Sequence, residues 1–570
     1  MHRIRTTAAA LLCVIAAMGR TSSAQAPSSP SISLSQTGAS ISAEDLRHRL
    51  TIIAADSMEG REAGKRGATR AAEYLVAELK RLGLAPAGQS GSFVQPIPLV
   101  VRAPDSASTL VVGTDTLKFG DDFVPYPRTA VQTFLGGNAF GGAFRGSQVP
   151  VIYGGQIGAQ PLVDPALVRG AAVVFAEPTS PAALTQFFQT NVPARYATAA
   201  VIALVRTDAV LRFFRAPRDF YADSTHPWPQ QLPVIAVTPR TVDRMLGAPA
   251  ASMSVGARGR AQLSGHFGYV DRATESPAVN VVAVFPGTDA RLREEYVAIG
   301  AHYDHVGVLP APVDHDSVRA FNQVVRPRGA DDPPRPATPD EARQVQVILD
   351  SLRRVRPARP DSINNGADDD GSGTVLMLEL AELFAKGPMK PRRSLLFVFH
   401  TAEEKGLYGA QYFTDHSPVP LASIVAQVNM DQMGRGGPED APPGGPNALV
   451  VIGSRRLSKE LGDLAERVNE RSAHRLRFDY AFDRDGDPTQ AYCRSDHYMY
   501  ARYGIPVAFF SAAAWHRDYH MVSDESQYIA YDRLANISRY IGDFVLAVAN
   551  LDHRPVVDKP KPDPNGTCVQ

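Results

Sequence analysis

The stretch Ser394-Leu-Leu-Phe-Val-Phe-His400-Thr-Ala-Glu-Glu404 joins an apolar run to two adjacent carboxylates. A short apolar run of this kind is typical of a buried strand in a parallel sheet. Glu403 and Glu404 would then follow the carboxyl end of the strand, which is where open α/β sheets hold their ligands. Because neighbouring carboxylates repel each other in an apolar setting, we expect a positive group beside them, and a bound metal ion is the leading candidate.

Three further predicted strands also end in polar residues. These residues are His302, Asp304 and His305 after Glu295–Gly300, Asp431 after Ile424–Met430, and His516, Tyr519 and His520 after Ile505–Phe510. One polar residue after a strand is usually a solvated cap or turn. Four strand ends that all offer His, Asp or Glu instead indicate a nitrogen and oxygen ligand set suited to zinc, in which carboxylates can bridge two ions.

A fifth acidic segment, Asn365-Gly-Ala-Asp-Asp-Asp-Gly-Ser-Gly373, opens a predicted apolar helix over Thr374–Phe384. Acidic residues at a helix N-terminus are stabilised by the helix dipole, so a charged helix start is one interpretation. A calcium loop is another, but the alternating oxygen ligands and the closing Glu of an EF-hand are missing.

Together, these segments resemble the co-catalytic di-zinc aminopeptidase family, within the wider group that includes glutamate carboxypeptidases. The motifs that carry the resemblance occur in the family's order: Gly300-Ala-His-Tyr-Asp304, Ala367-Asp-Asp-Asp-Gly-Ser-Gly373, Thr401-Ala-Glu-Glu404, Asn429-Met-Asp431, Arg494-Ser-Asp-His497 and Tyr519-His-Met-Val-Ser-Asp524. Each motif alone is weak, whereas the ordered set is specific. The resemblance implies an α/β fold with a mixed, mostly parallel sheet flanked by helices.

The resemblance also implies which residues hold the metal. His302 and Asp431 would hold one zinc ion, and Glu404 and His520 would hold the other. Asp369 would bridge the two ions. The expected cofactor is therefore a pair of Zn²⁺ ions.

The remaining matching residues would support the reaction. Glu403 would be the general base, and Tyr519 would donate a hydrogen bond to the developing oxyanion. Asp304 and Asp524 would be the outer carboxylates that orient the two ligand histidines.

Other polar residues near the motifs are expected to have structural roles and not to bind metal. His305, His497 and His516 are interpreted as structural or rim residues. Asp368 and Asp370 are expected to satisfy backbone groups.

The predicted function is that of an exported zinc-dependent exopeptidase, specifically an aminopeptidase acting on peptides. A carboxypeptidase or dipeptidase on the same site is one alternative, and Arg494 or the Arg-rich stretch 326–336 could anchor its substrate carboxylate. A glutaminyl cyclase would use a single zinc ion. A metal-binding receptor-like protein would be non-catalytic, although the intact ligand set argues against it.

One departure from the compact family pattern is an apparent insertion between two ligands, roughly Val308 to Arg359. Within it, Thr338 suits an N-cap, Pro339 the first helical position, and Glu341 completes a capping box. Since metal ligands flank the insertion, it emerges beside the site, either as a lid or wall of the cleft or as a solvated excursion.

The start of the chain resembles a secretory signal peptide. A basic segment, His2–Arg5, precedes an apolar stretch, Ala8–Met18, that is too short to span a bilayer, and Ala24–Ala26 offers a cleavage site. The predicted location is secreted or periplasmic. Two cysteines, Cys493 and Cys568, would then remain, and their spacing does not determine whether they pair.

Changes in composition and in the pattern of apolar runs along the chain predict five segments. These are a signal peptide (1–26), an N-terminal part of the peptidase domain (27–122), a β-rich insertion resembling a protease-associated domain (123–265), the catalytic domain (266–555) and a disordered tail (556–570). Extra strands of the same domain are the alternative interpretation of residues 123–265.

Composition limits the partners. Lys plus Arg and Asp plus Glu are equal at 59 each, so no nucleic-acid or anionic-membrane partner is indicated. No segment after the start is apolar and long enough to span a membrane. Peptides are the predicted substrates, and the sequence gives no indication of an oligomeric state.

Overall fold

The computed structural model describes residues 37–126, 141–188, 195–223, 232–440, 444–512, 516–564 and 568–570. The predicted signal peptide, residues 1–26, lies outside the described residues.

Helices in the described residues follow the apolar periodicity and caps of the sequence. In chain order they are α1 (Ala43–Ile53), α2 (Arg66–Arg81), α3 (Pro181–Gln186), α4 (Asp208–Arg215), α5 (Pro239–Leu246), α6 (His315–Val325), α7 (Pro339–Arg353), α8 (Gly373–Lys386), α9 (Tyr408–Asp415), α10 (Lys459–Arg471), α11 (His497–Ala501) and α12 (Tyr531–Ala549).

Strands in the described residues form two large sheets and two small ones. In chain order they are β1 (Ala85–Pro86), β2 (Val94–Pro96), β3 (Leu99–Pro104), β4 (Thr109–Val112), β5 (Asp115–Leu117), β6 (Phe123–Pro125), β7 (Phe144–Gln156), β8 (Ala172–Ala176), β9 (Val201–Val205), β10 (Arg218–Tyr221), β11 (Val234–Val237), β12 (Arg258–Phe267), β13 (Tyr269–Ala273), β14 (Val279–Phe285), β15 (Tyr296–His302), β16 (Val308–Asp314), β17 (Pro360–Ile363), β18 (Ser394–His400), β19 (Ile424–Met430), β20 (Ala448–Ile452), β21 (Arg477–Asp479) and β22 (Val507–Ser511).

The larger sheet positions the candidate site. Its order is β1-β14-β18-β15-β19-β22-β20-β21, with β2 also paired to β14. The four central strands, β18, β15, β19 and β22, are parallel to one another, whereas β14 and β20 pair antiparallel with β18 and β22 at the two sides of this group. Every residue of β18 and β19 is buried, as expected for strands covered on both faces. The predicted mixed α/β fold is confirmed, and its parallel part is the centre of the sheet.

The insertion between the ligands folds into a small unit of its own. β16 and β17 pair antiparallel and enclose α6 and α7. The predicted start of α7 is confirmed, because Thr338 and Glu341 form the reciprocal capping box with Pro339 in the first turn. Asp316 lies at the centre of the unit. Burial would raise the pKa of its carboxyl, but ion pairs with Arg359, Arg356 and Arg353 outweigh burial and lower it.

The second large sheet has the order β5-β4-β12-β7-β8-β9-β11-β6. Two apolar cores flank it, one built around Phe175, Phe187 and Tyr196 and the other around Phe123 and Met245. Its strands run from Thr109 to Phe267, so the sheet begins earlier than the predicted boundary at residue 123. A three-stranded sheet, β10-β3-β13, lies outside this order.

Within the segment predicted as a disordered tail (556–570), the described residues 556–564 and 568–570 instead contact the catalytic domain. The backbone N–H groups of Val556 and Asp558 donate to Glu460 and Leu457, and Cys568 forms a disulfide with Cys493, with a Cα–Cα distance of 5.9 Å. Their prediction as disordered rested on Pro-rich composition, which does not register a covalent tie to a distant residue.

Candidate metal centre

The carboxyl ends of the four central strands bring the predicted ligands to one edge of the sheet. His302 ends β15, Glu403 and Glu404 follow β18, and Asp431 follows β19. His520 lies in the loop after β22. Since these strands are parallel, their ends lie on the same side, as the sequence analysis expected.

Two groups of side chains at this edge have the composition and spacing of metal sites. The first contains His302, Asp369 and Asp431, and the second contains His305, Asp369, Glu404 and His520. Asp369 belongs to both groups. This sharing is the arrangement predicted for a bridging carboxylate.

Distances in the first group suit a shared ion. His302 Nε2 lies 3.2 Å from Asp369 Oδ1 and 3.6 Å from Asp431 Oδ1. Two ligand atoms bound to one tetrahedral zinc ion are about 3.3 Å apart, because each lies about 2.0 Å from the metal. Within the described residues, Asp431 Oδ1 is buried without a hydrogen-bond donor, which leaves it available to a cation.

The second group has similar distances. His520 Nε2 lies 3.0 Å from both Asp369 Oδ2 and Glu404 Oε2. His305 Nδ1 lies 2.8 Å from Glu404 Oε1 and 4.0 Å from Asp369 Oδ2. His305 is fully buried, so it is not a rim residue. One signal in the sequence pointed to it, its position three residues after His302.

The side chains at this edge of the sheet carry an excess of negative charge, which shifts the pKa values of their neighbours. Burial by itself would lower the pKa of His302 and His520, but nearby carboxylates outweigh it and raise both values. Burial raises the pKa of Glu403 well above its usual range, and Glu404 and Asp431 add to the shift. Burial would also raise the pKa of Glu404, yet His520 and His305 lower it to about 2. The adjacent glutamates thus lie in opposite electrostatic settings.

The segment before α8 is held by a buried arginine that the sequence analysis did not single out. Arg61 donates from Nε to the carbonyl of Tyr303 (2.7 Å) and from its Nη atoms to the carbonyls of Ile53, Asn365 and Gly366. It therefore clamps the chain next to His302 to the chain next to Asp369. The only sequence signal was its position in the loop between α1 and α2.

Asp304 and Asp524 contact other groups than predicted. The ring of His302 approaches the backbone carbonyl of Asp304 (Nδ1 to O, 3.1 Å), while the carboxylate of Asp304 is 3.9 Å away and accepts the N–H of Glu403. Asp524 Oδ2 accepts the N–H groups of Asp368 and Asp369, so it acts on the bridging segment, which differs from its predicted role of orienting His520.

A second buried arginine, Arg435, fixes Asp524 from behind. Its Nη2 lies 3.0 Å from Asp524 Oδ1 and its Nη1 lies 3.0 Å from Asp518 Oδ2. Asp368 and Asp370 behave as expected and satisfy backbone groups, since their carboxylates accept the N–H groups of Gly434 and Gly373.

Several loops at this edge adopt the left-handed region of backbone space. Ala402, Gln432 and His520 have φ values of 54°, 57° and 54°. A positive φ in residues other than glycine is uncommon and concentrates at functional sites. Each of the three is a proposed ligand or lies next to a predicted site residue.

A pocket opens beside the first group. His302, Asp369, Glu403 and Asp431 line its polar side, and its other side is formed by Val450, Ile452, Phe482, Ala491 and Phe509. Tyr519 and Arg494 also line it, as expected for a candidate oxyanion donor and a candidate substrate residue. Arg494 makes a two-point ion pair with Asp331 of the insertion, at 2.9 and 3.2 Å.

The other predicted bland residues lie outside both ligand groups. His497 is buried and stacks on Phe509, and His516 Nε2 lies 3.2 Å from Asp368 Oδ2.

The insertion reaches the site through Ala330, whose N–H donates to the carbonyl of Tyr519 (3.0 Å). The insertion thus contacts two residues that line the cleft, Tyr519 and Arg494.

Comparison with known proteins places this geometry in a family. Residues 280–545 match the model of Peptidase family M28. Over these residues the chain is similar to peptidase family M28. This confirms the predicted peptidase family, and the matched M28 segment contains every residue predicted to bind zinc.

Curated relatives match short stretches of the chain. A Probable zinc metalloprotease from Pyrenophora tritici-repentis is 37% identical over 75 residues, which are 13% of this chain and 17% of the relative. A Vacuolar membrane protease from Schizosaccharomyces japonicus is 40% identical over 90 residues, 15% of this chain and 10% of the relative. The matches therefore span less than a fifth of these relatives.

Solved structures with a similar fold include two bacterial aminopeptidases. One is the aminopeptidase from Aneurinibacillus sp. strain AM-1, at 16% identity and a TM-score of 0.45, covering 92% of this chain and 97% of that one. The other is a zinc aminopeptidase from Bacillus subtilis, at 15% identity and a TM-score of 0.42, covering 92% and 99%.

The prediction of a secreted or periplasmic location is contradicted. Curated relatives from several fungi are named Vacuolar membrane protease, which points to a different compartment. In the described part of the chain, no helix combines the length and the apolar character needed to cross a bilayer.

Proposed function

We propose that the chain is an aminopeptidase with two zinc ions that releases N-terminal residues from peptides. One observation carries the proposal: two ligand groups share Asp369, while Glu403 lies beside them and belongs to neither. Glu403 lines the pocket, and its Oε2 is 3.9 Å from His302 Nε2. A carboxylate next to a metal pair but outside its ligand set is placed for proton transfer.

The donor set fits zinc. His302 and Asp431 would hold one ion, Glu404 and His520 the other, with Asp369 between them, and His305 would hold the orientation of Glu404. When bound, such ions polarise a carbonyl and bring the pKa of a bound water close to neutrality. Glu403 would take the proton of the attacking water and return one to the leaving amine. Tyr519 would donate to the oxygen that gains charge.

Charge at the pocket supports recognition of a free α-amine. Glu403, Asp431 and Asp369 line one side of it, so a protonated amine would find carboxylate acceptors there. The opposite wall is apolar, which suits an apolar N-terminal side chain. N-acetylation would remove the positive charge and leave buried carboxylates against a neutral amide, at a cost of about 1–3 kcal/mol.

The carboxypeptidase alternative depends on a cation for the substrate carboxylate. Arg494 lines the pocket, but Asp331 offsets its charge through the two-point ion pair. This pairing favours the aminopeptidase. A single-zinc cyclase would leave one of the two ligand groups without a role.

Substrate polarity tests the proposal. One peptide is offered in free, N-acetylated and C-amidated forms, to zinc-depleted enzyme and to the same enzyme after zinc is restored. We expect cleavage of the free and amidated forms only, and only with zinc. Cleavage of the acetylated but not of the amidated peptide would show a carboxypeptidase.

Metal analysis tests the ion count. Asp369→Ala should reduce zinc at both positions, whereas Asp431→Ala and Glu404→Ala should each remove about one ion per chain. A wild-type stoichiometry of one zinc that Asp431→Ala leaves unchanged would favour the cyclase interpretation.

We also propose that the β-rich region around residues 123–265 is an accessory module of the protease-associated type. Its separate sheet and its own apolar cores support this. Asp219 of β10 contacts the loop that follows β18, since its Oδ2 lies 2.8 Å from Lys405 Nζ.

A further inference from the structure

The insertion between the ligands brings one carboxylate to the cleft. Among the described residues that line the pocket, Arg494 has the only Lys or Arg side chain. Asp331 of the insertion contacts it at two points, with Oδ1 2.9 Å from Nη2 and Oδ2 3.2 Å from Nη1. The side chain of Arg494 is 36% exposed and that of Asp331 is 18% exposed, so solvent still reaches the pair.

The local fold of the insertion holds Asp331 in place. Asp331 ends a single helical turn, Gly329–Asp331, and the N–H of Ala330 within it donates to the carbonyl of Tyr519. Gly329 has a φ of 58°, and a Cβ there would lie 2.6 Å from the same carbonyl oxygen. A glycine at this position therefore allows the turn to pack closely against the loop that carries Tyr519.

The neighbouring residue, Asp332, has its contacts within the insertion. Its Oδ2 accepts the backbone N–H of Arg328 and its Oδ1 accepts from Arg328 Nε, both at 2.8 Å. Its carbonyl accepts from Arg326 Nη2, also at 2.8 Å. Two successive aspartates thus have different partners, because Asp332 pairs inside the insertion and Asp331 pairs with a residue of the cleft.

The ion pair changes what the cleft can recognise. A guanidinium beside an open pocket commonly binds a carboxylate through two parallel N–H···O bonds. In Arg494, both terminal nitrogens already donate to Asp331. A carboxylate of a bound peptide would therefore have to displace Asp331 or lie against a pair that has no net charge.

We propose that Asp331 is a specificity-determining residue, which pairs with Arg494 and so prevents the cleft from favouring molecules that present a carboxylate beside the scissile bond. Two molecules present one: a dipeptide substrate and the released amino acid. The inference rests on the proposed aminopeptidase activity. It adds a substrate range, in which longer peptides are cleaved as readily as dipeptides.

Comparison of a dipeptide with its amide tests the inference. Asp331→Asn keeps the shape of the side chain but removes the charge that neutralises Arg494. Leucyl-leucine and its C-terminal amide are offered to the zinc-loaded full chain, and kcat/KM is measured for each. The wild type should cleave both with similar efficiency. Asp331→Asn should favour the dipeptide by about tenfold, through a lower KM, since a hydrogen bond to a charged group has about this effect.

Binding of the product gives a second measurement that needs no turnover. The affinities of the zinc-loaded protein for leucine and leucinamide are measured by calorimetry. Leucine that binds about tenfold more tightly to Asp331→Asn, with leucinamide unchanged, would identify the released amino acid as a source of the carboxylate. A gain confined to cleavage of the dipeptide would identify the substrate as the source.

Asp332→Asn is the matched control. It removes one negative charge from the next position of the chain, and its partner Arg328 is outside the set of described residues that line the pocket. The dipeptide preference and the affinity for leucine should both equal those of the wild type. The same gain in Asp331→Asn and Asp332→Asn would show a general effect of charge and would overturn the role of Asp331.

Arg494→Gln tests whether the effect acts through the guanidinium. Combined with Asp331→Asn, it should return the dipeptide preference to the wild-type value, and a gain that persists would contradict the inference. In the otherwise wild-type chain, Arg494→Gln should leave the preference unchanged. A preference for the amide of about tenfold in that variant would show that Arg494 binds carboxylates in spite of Asp331, which also contradicts the inference.

These results separate the inference from the proposed function. A zinc-loaded wild type that cleaves no peptide with a free amine would overturn the proposed aminopeptidase activity. A wild type that cleaves both leucyl peptides, with neither the dipeptide preference nor the leucine affinity changed in Asp331→Asn, would overturn the inference alone. A wild type that already favours the dipeptide by about tenfold would do the same. If Asp331→Asn does not fold, Arg494→Gln decides the result.

Discussion

A group of carboxylates lies near each end of helix α8, and the two groups differ in the positive charges that balance them. The carboxylate edge lies before its N-terminus and contains Asp369, Glu403, Glu404 and Asp431. The ion-pair cluster lies along its second half and contains Glu78, Glu379 and Glu382 together with Arg49, Arg81 and Lys386.

In the ion-pair cluster, three carboxylates face three protein cations. Arg49, on α1, is fully buried and contacts Glu78, Glu379 and Glu382. Buried charges are tolerated when they are paired in this way. The cluster therefore ties α1, α2 and α8 together and needs nothing from outside the chain.

In the carboxylate edge, the nearest partners are imidazoles. His302, His305 and His520 lie among the four carboxylates at metal-ligand distances. Four carboxylates match the charge of two divalent ions. A group of buried carboxylates therefore indicates a metal site only when no Lys or Arg side chain pairs with it. The ion-pair cluster has such partners, whereas the nearest partners of the carboxylate edge are imidazoles.

The largest expected effect is on turnover at the carboxylate edge. Glu403→Gln keeps the volume of the side chain but removes the proton acceptor, so activity should fall by about 10²- to 10⁴-fold with zinc content near wild type. Glu379→Gln, the same change in the ion-pair cluster, is the control and should keep its activity. Loss of zinc in Glu403→Gln would mean that the roles of Glu403 and Glu404 are reversed.

Stability should respond most at the ion-pair cluster. Arg49→Met leaves buried carboxylates without their shared partner, and breaking a buried pair in this way costs about 3–5 kcal/mol. Denaturant unfolding of the zinc-free protein measures the loss. Zinc affinity of the folded variant should equal that of the wild type; a variant of normal stability that lost zinc would contradict the division between the two groups.

Removing the metal should act on the carboxylate edge alone. Zinc bound at a hundredfold excess over its Kd stabilises the folded state by about 2.7 kcal/mol, so a chelator should lower the unfolding temperature. The two groups are about 9–14 Å apart along α8. The losses from chelation and from Arg49→Met should therefore add to within about 0.5 kcal/mol. A strongly non-additive result would show that the two groups are coupled.

The sequence predicted the centre of the fold and most of the site because both follow from local patterns. Apolar runs such as Ile424–Met430 have the predicted bounds, and the ligands follow strand ends. The capping box at Thr338 is likewise local. These features need only neighbouring residues to be recognised.

Contacts between distant parts of the chain were not predictable. Arg61 and Arg435 hold the site from behind through carbonyls and carboxylates that lie far away in sequence. Ser495 reaches Asp431 across 64 residues. Cys568 is joined by a disulfide to Cys493, 75 residues earlier, and the second sheet begins at β4 because antiparallel pairing with β12 extends it. Such partners become neighbours only after the sheet has formed.

The smallest expected effect concerns how the exposure of a side chain changes the cost of removing it. In the ion-pair cluster the side chains of Arg49, Arg81 and Lys386 are 0%, 20% and 41% exposed. Water can replace a cation more easily where the side chain is more exposed. Destabilisation should therefore decrease along this series of Met substitutions, and Lys386→Met should cost no more than about 0.5–1 kcal/mol.

At the carboxylate edge, the effect of a substitution should not depend on how exposed the side chain is. His520 is 23% exposed and His302 only 1%, yet both are proposed to bind an ion directly. A metal bond depends on the donor atom and not on how much of the ring is covered, so His520→Ala and His302→Ala should each remove about one zinc per chain. Metal analysis of the two variants measures this. A much smaller zinc loss in His520→Ala would place His520 outside the ligand set and leave His305 as the histidine that binds with Glu404.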